Sequence, residues 1–239
     1  MKAFITHLVV QFRGDLRDKG ILMVYYLVPL VFYAVMSSIM KLPEMNMNET
    51  LISSISIFTL SMSAFLGLPQ TLVKARETGV LQAFRVAGIP SWSMPLSAII
   101  ISLLHIMIVA CIILLTAPVI FSATLPSNIA LHLFGVAIIA LASEELGVLL
   151  ACFVKKQSTL TLAGQCLFLP TVMLSGIMFP ADILPKPLRM LGEVLPASQG
   201  MKLILDGVLQ TTPLLILNAI TLSAFGASMI MYRRINMKI

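Results

Sequence analysis

An all-α integral membrane protein with six spanning helices is what the sequence predicts, and three observations carry that expectation. Of the 239 residues, 59% are hydrophobic and 11% charged, and the mean hydropathy is +1.00. A water-soluble domain cannot bury that much apolar surface, whereas lipid accepts it. Six apolar runs, 21–40, 51–73, 94–120, 129–154, 158–179 and 212–232, match the roughly 20 helical residues that cross a hydrocarbon core. The basic residues between the runs are unevenly shared. Lys2, Arg13, Arg17, Lys19, Lys74, Arg76, Arg85, Lys155, Lys156, Arg233, Arg234 and Lys238 fall on one side, and only Lys41, Lys186, Arg189 and Lys202 on the other. Positive charge is retained on the cytoplasmic face, so both termini are expected there, in a multi-pass plasma-membrane protein. The net charge of +6 then reflects orientation and attraction to anionic membrane lipid, with no nucleic acid required.

The elements follow in order. Residues 1–20 form a separate cytoplasmic unit ahead of the membrane domain 21–239. Phe4, Ile5, Leu8, Val9, Phe12 and Leu16 recur at helical spacing among polar residues. That pattern predicts an amphipathic helix lying in the inner interface, its apolar side in lipid or on the protein's own cytoplasmic face. The first run is too long for a signal-peptide core and no small-residue cleavage site follows it, so it is read as a span. The outer connection 41–50 carries the triplet Asn48-Glu49-Thr50, a pattern common by chance. Pro29, Pro69 and Pro170 fall within spans and predict kinks, static or belonging to a moving wall.

The segment KARETGVLQAFRVAGIP, 74–90, interrupts the apolar sequence with charge. Val80, Leu81, Phe84 and Ala87 make a stripe, with Lys74, Arg76, Glu77, Gln82 and Arg85 around it, and Gly88-Ile89-Pro90 ends the pattern. A short cytoplasmic amphipathic helix is predicted, lipid-facing if it stood alone. The fourth run contains Glu144 and Glu145. Glu144 lies eleven residues before Lys155, and His105 eleven after Met94, which puts both at a depth of about 16 Å, where they can pair. Intramembrane carboxylates are functional candidates. For Glu144 the packing alternative is the stronger, because Ala140, Gly147 and Ala151 share its face. Small residues at Ser143/Gly147/Ala151 and Ala219/Ser223/Ala227 let helices approach closely. After the fifth run, 179–211 is broken by Pro180, Pro185, Pro187 and Pro196 into amphipathic pieces too short to span, predicting outer re-entrant helices buried against protein.

Enzyme signatures are sparse. No Gly directly precedes a Lys, so there is no phosphate-cradling loop. His7, His105 and His132 are dispersed, and Cys111, Cys152 and Cys166 lie in apolar runs without metal or disulfide spacing. A catalytic pairing of Ser175, or of Glu144 and Glu145, with His105 is the enzyme alternative. It requires one depth for both partners, and Ser175 falls near the outer end.

Six spans, a basic cytoplasmic helix, Glu77 and Gly79 in RETG, and LSGIMFPADILP at 174–185 together resemble the type-2 ABC transporter permeases. These are membrane subunits of bacterial exporters of drugs, antibiotics, peptides and polysaccharides. The most specific match is Ser175, Gly176, Phe179, Pro180 and Pro185, an outer-gate motif; Val80, Gln82 and the Ala197–Gly200 stretch depart from the family pattern. The resemblance implies that 74–90 is a coupling helix, with Arg76, Glu77, Gly79, Leu81, Phe84 and Arg85 engaging a separate ATPase subunit. It implies two ATPase copies holding ATP and Mg²⁺, with no cofactor in this chain, and a second permease, identical or related. Phe58, Met62, Phe65, Leu169 and Met173 are the expected substrate path for a hydrophobic or amphipathic cargo, and sixteen methionines suit adaptable walls. A lipid or polysaccharide exporter and a non-transporting immunity or sensor subunit share the same fold expectation.

Overall fold

A backbone surrounded by hydrocarbon must satisfy its own N–H and C=O groups, and the apolar runs do so as helices. The computed structural model describes residues 2–40, 50–90, 92–178, 183–205 and 210–238, with backbone alone at 2, 3, 40, 85 and 233–238. Five helices are long and apolar enough to cross a membrane: Lys19–Ile39, Leu51–Glu77, Ser93–Phe121, Ile129–Phe153 and Thr211–Tyr232. The expected fifth span is also helical, over Gln157–Leu174, but Gln157, Ser158, Thr159, Thr161 and Gln165 dilute its hydropathy and it is not among those five. In chain order the helices are α1 (Lys2–Asp15), α2 (Lys19–Leu22), α3 (Val28–Met40), α4 (Leu51–Met62), α5 (Leu68–Glu77), α6 (Val80–Val86), α7 (Ser93–Phe121), α8 (Ile129–Phe153), α9 (Gln157–Leu174), α10 (Lys186–Glu193), α11 (Pro196–Leu205) and α12 (Thr211–Lys238). No strand occurs among the described residues.

The first two spans each contain a π turn, Met23–Leu27 and Ser63–Gly67, and proline is the cause. Pro29 and Pro69 have no N–H to return to the carbonyl four residues back, and their rings crowd it. Each helix widens instead. Val28 N–H reaches Met23 O and Leu68 N–H reaches Ser63 O, five residues away. In the second span the carbonyls of Ala64 and Phe65 thereby lose the nitrogens a regular helix would offer them. Both are met by glycine: a Cβ on Gly147 of α8 would stand 2.1 Å from Ala64 O, and one on Gly164 of α9 2.5 Å from Phe65 O. The small residue facing the second span beside Glu144 is therefore a direct backbone contact. Pro170 sits inside α9, which remains helical around it.

The helix α1 packs against the protein itself, along α7. His7 Nε2 meets Ser97 Oγ at 3.1 Å, and Asp15 Oδ2 lies 3.7 Å from His105 Nε2. Eight residues of α1 thus run beside eight of α7, so the helix lies along the bundle. Its stripe is split: Phe12 stacks on His105 at 4.9 Å, whereas Ile5 and Val9 remain exposed.

At the other end, α11 is buried along most of its length and packs on α8 and α4. Gly200 abuts Ile139 and Gly135 abuts Ile204, so α11 lies beside the first half of α8. The triplet at Asn48 lies outside the described residues.

Candidate functional site

The single helix expected over 74–90 is divided: residues 74–77 complete α5, and only Val80–Val86 form the separate helix α6, because a glycine follows each piece. Gly79 and Gly88 have φ of 75° and 71°, a left-handed conformation that side chains resist. Gly79 closes α5, its N–H on Arg76 O. Gly88 closes α6 in a Schellman turn, with Ile89 N–H on Phe84 O at 2.9 Å. Between those two reversals, α6 projects from the end of the bundle at which α5 and α8 end and α7 and α9 begin.

Three polar ties at the end of α5 and one ring contact from α6 fasten this corner to four other elements. Arg76 Nη1 donates to the carbonyls of Ala151 and Val154, at 3.1 and 3.2 Å, the last turn of α8. Glu77 Oε1 accepts the N–H of Gln157 at 3.1 Å, placing a carboxylate on the free amides and positive dipole end of α9. Lys74 Nζ donates to Asp18 Oδ2 at 2.5 Å, and Asp18 caps α2 through Gly20 N–H at 2.9 Å. The Lys74 partner holds the Asp18 carboxyl below its ordinary value. The ring of His7 in α1 meets Phe84 edge-on at 5.2 Å.

The apolar stripe is divided by this arrangement. Leu81 is 5% exposed and Phe84 packs against the same inner cluster, so both seat α6 on its own bundle. Val80, Val86 and Ile89 are exposed, Val86 at 90%, and supply the outward apolar face. The Arg85 side chain lies outside the described residues.

Deeper in the bundle, the polar residues pair differently from the sequence expectation. His105 is fully buried and meets Tyr26 OH through Nδ1 at 2.6 Å, Asp15 through Nε2 and the tilted Tyr25 ring at 4.9 Å. Its partners come from α1 and the first π turn, not from Glu144. Glu144, also fully buried, adjoins the Ser63 and Ser102 hydroxyls and Tyr25, with neither carboxyl oxygen in a well-formed hydrogen bond among the described residues. Those neighbours bond one another: Tyr25 OH donates to Ser102 Oγ at 3.0 Å, and Ser102 and Ser63 lie 2.7 Å apart. Tyr25 occupies the space a Gly67 side chain would need. A continuous polar layer thus crosses both π turns. Asp15, Tyr25, Tyr26, Ser63 and Ser102 were not legible as site residues, because no local pattern announces a partner about 80 positions away. Glu145 belongs elsewhere, taking a hydrogen bond from Ser228 Oγ of α12 at 3.4 Å.

The expected path residues fall into two groups. Phe58, Met62 and Phe65 are packed interior, with Phe58 stacked 3.7 Å from Phe32; they do not line an open face. Leu169 and Met173 are more than half exposed and share one face of α9 with Gln165.

At the end of that helix, Ser175 Oγ donates to Thr171 O and Gly176, at φ 81°, reverses the chain. Pro185 precedes α10, whose Gly192 presses on Leu174 O. Phe179 and Pro180 lie outside the described residues. Ser175 at this turn and His105 among the aromatic rings of the first span are not brought together, and they form no serine–histidine dyad among the described residues.

A family profile described as ABC-2 type transporter matches residues 3–209, from α1 to just before α12. Among curated proteins, none matches the chain.

Proposed function

Because the chain belongs to the ABC-2 type transporter family, and is thus a multi-pass transport permease rather than a catalyst, we propose that it is the membrane half of an ATP-driven exporter of a hydrophobic or amphipathic substrate. In this reading α9 completes six spans, both termini are cytoplasmic in a bacterial plasma membrane, and α11 is re-entrant in the outer leaflet. Two ATPase subunits holding ATP and Mg²⁺ sit beneath a pair of permeases, identical or related. Drugs, antibiotics and peptides are the cargo classes that suit the apolar walls.

The observation that carries the reading is the fastening of the corner between α5 and α6. A chain without a phosphate-cradling loop must receive work mechanically, and a helix seated in an ATPase cleft by Val80, Val86 and Ile89 provides a contact. Arg76 and Glu77 then pass displacement to the end of α8 and the start of α9 together. Alternating access follows if the exposed α9 face, with Gln165, Leu169 and Met173, borders the path between permeases. A polar residue on that face favours a wet or protein-covered surface over lipid.

Reconstitution with the cognate ATPase tests this. Glu77→Ala and Val86→Asp are expected to lower ATP-driven transport about ten-fold or more, the scale of a charge-assisted contact of about 1.5–3 kcal/mol, while membrane insertion is unchanged. Wild-type transport by both variants would overturn the assignment.

A further inference from the structure

At the inner end of the bundle, α7, α8 and α12 leave a cavity of about 160 Å³ between them. Its walls are apolar and aromatic: Trp92 just before α7, Leu96 and Ile99 from α7, Val148 from α8, and Phe225 and Tyr232 from α12. One carboxyl reaches it. Glu145 is 7% exposed and lines the space with Ser228, whose hydroxyl is its hydrogen-bond partner at 3.4 Å. No ion pair joins Glu145 to a cation among the described residues. Arg76, which neighbours Cys152 and Tyr232, directs Nη1 to the Ala151 and Val154 carbonyls. The expected path face on α9 contributes nothing to this space.

A carboxyl that lines an apolar cavity and has no ion-pair partner among the described residues is stabilised in its charged form by a cation brought to it. Aromatic faces add to that attraction. The size of the cavity narrows the ligand, since a dry apolar cavity of about 150 Å³ accommodates a benzene ring. We propose that this cavity binds a lipophilic amine, a protonated primary or secondary amine carrying one ring-sized apolar group. The ammonium sits on Glu145 and Ser228, and the ring lies among Trp92, Leu96, Val148 and Phe225. The ligand enters from the side of the bundle, between α7 and α12, where Trp92, Leu96 and Phe225 are exposed. This site is separate from the transport reading and holds whether or not the amine is cargo.

Trp92 is the sole tryptophan in the chain, so its emission reports occupancy without a label. The purified full-length protein in lipid nanodiscs is titrated with phenethylammonium, and with neutral 2-phenylethanol and anionic phenylacetate as comparisons. A saturable change in Trp92 emission is expected with the amine, at least about ten-fold weaker with the alcohol and absent with the anion. Glu145→Gln should bring the amine down to the alcohol's level. Val148→Phe, which keeps the carboxyl but fills the cavity, should abolish saturable binding of both, and it serves as the deciding variant should Glu145→Gln fail to elute as a monodisperse species. No saturable response to the amine, equal affinity for amine and alcohol, or undiminished binding in Val148→Phe would each overturn the proposal.

Discussion

The most apolar 18-residue stretches of the second span and the last helix have nearly equal hydropathy, 1.8 and 1.9, yet 94% of the one stretch is buried inside the protein and 17% of the other. Both are at home away from water, and hydropathy measures only that. What separates them is the fine composition of their surfaces. The second span presents Ser53, Ser54, Ser56, Thr59, Ser61 and Ser63, all buried. Ser56 and Thr59 turn their hydroxyls back onto the carbonyls of Ile52 and Ile55, which leaves slim surfaces that neighbouring helices approach closely. The last helix turns Leu215, Leu222, Phe225 and Ile230 outward, bulky groups that pack well against acyl chains. An apolar helix goes to the middle of a membrane protein when its surface is narrow enough for backbone contact, and to the edge when it is not.

The same substitution placed on each helix's glycine contact should break the comparison most visibly. Gly147→Ala puts a methyl 2.1 Å from the Ala64 carbonyl, whereas Gly226 of α12 has nothing within 4 Å. Gly147→Ala is expected to cost more than about 3 kcal/mol, or to prevent recovery of folded protein, because a backbone atom cannot step aside. Gly226→Ala should leave stability unchanged or raise it by up to about 1 kcal/mol through helix propensity. Thermal unfolding in detergent distinguishes them; equal midpoints would mean that the close contact is absent.

Next in size is a truncation pair. Leu60, fully buried, should lose about 2–5 kcal/mol on change to Ala, and Leu222, 71% exposed, less than about 0.5 kcal/mol. A large effect at Leu222 would show that another subunit covers α12.

A proline pair sharpens the functional side. Pro69→Ala restores an N–H for the Phe65 carbonyl and removes the cause of the π turn, so transport should fall by about three- to ten-fold with insertion intact. Pro213→Ala lies in the first turn of α12, where proline replaces no hydrogen bond, and should be silent. Transport rates of the two variants, normalised to membrane content, decide this.

The smallest effect belongs to α1, packed on the bundle from outside. Burial lowers the proton affinity of His7 below its ordinary value of 6.5, so the folded state binds fewer protons than the unfolded one and stability rises with pH. The His7–Phe84 contact is complete above about pH 6.5 and weakens as pH falls below it, by less than about 1 kcal/mol because the ring is only partly buried. Thermal midpoints between pH 8 and 5.5 should show a shallower slope in His7→Phe than in the wild type.

The local features were readable because short-range chemistry writes them. Every expected span overlaps helix, although α9 ends at Leu174, five residues early, and α12 runs on to Lys238; Gly88 ends α6 as the segment's own pattern indicates, whereas the break at Gly79 was not read, because the polar pattern runs through it. Glu77 finds a backbone donor, the N–H of Gln157. Partners distant in sequence were not readable. His105 faces Asp15 and Tyr26, Leu81 and Phe84 turn inward, and Phe58, Met62 and Phe65 are core. In each case an apolar or polar residue had several chemically equivalent destinations, and only the packed arrangement of helices selects among them. The prolines at 29 and 69 announced irregularity, but that it takes the form of two π turns in contact depends on Tyr25 resting on Gly67.

By itself the sequence determined that this protein lives in a membrane as a helical bundle, with a basic amphipathic segment between its second and third apolar runs that ends at Gly88. Transfer from water, backbone satisfaction and φ preference act residue by residue, so a linear reading captures them. The tertiary structure alone decided which apolar helix became the centre, where the released carbonyls of Ala64 and Phe65 are received, and which carboxyl meets a hydroxyl layer and which an open cavity. Those outcomes depend on shape matching between surfaces far apart along the chain, where differences of a single methyl group outweigh any difference in hydropathy.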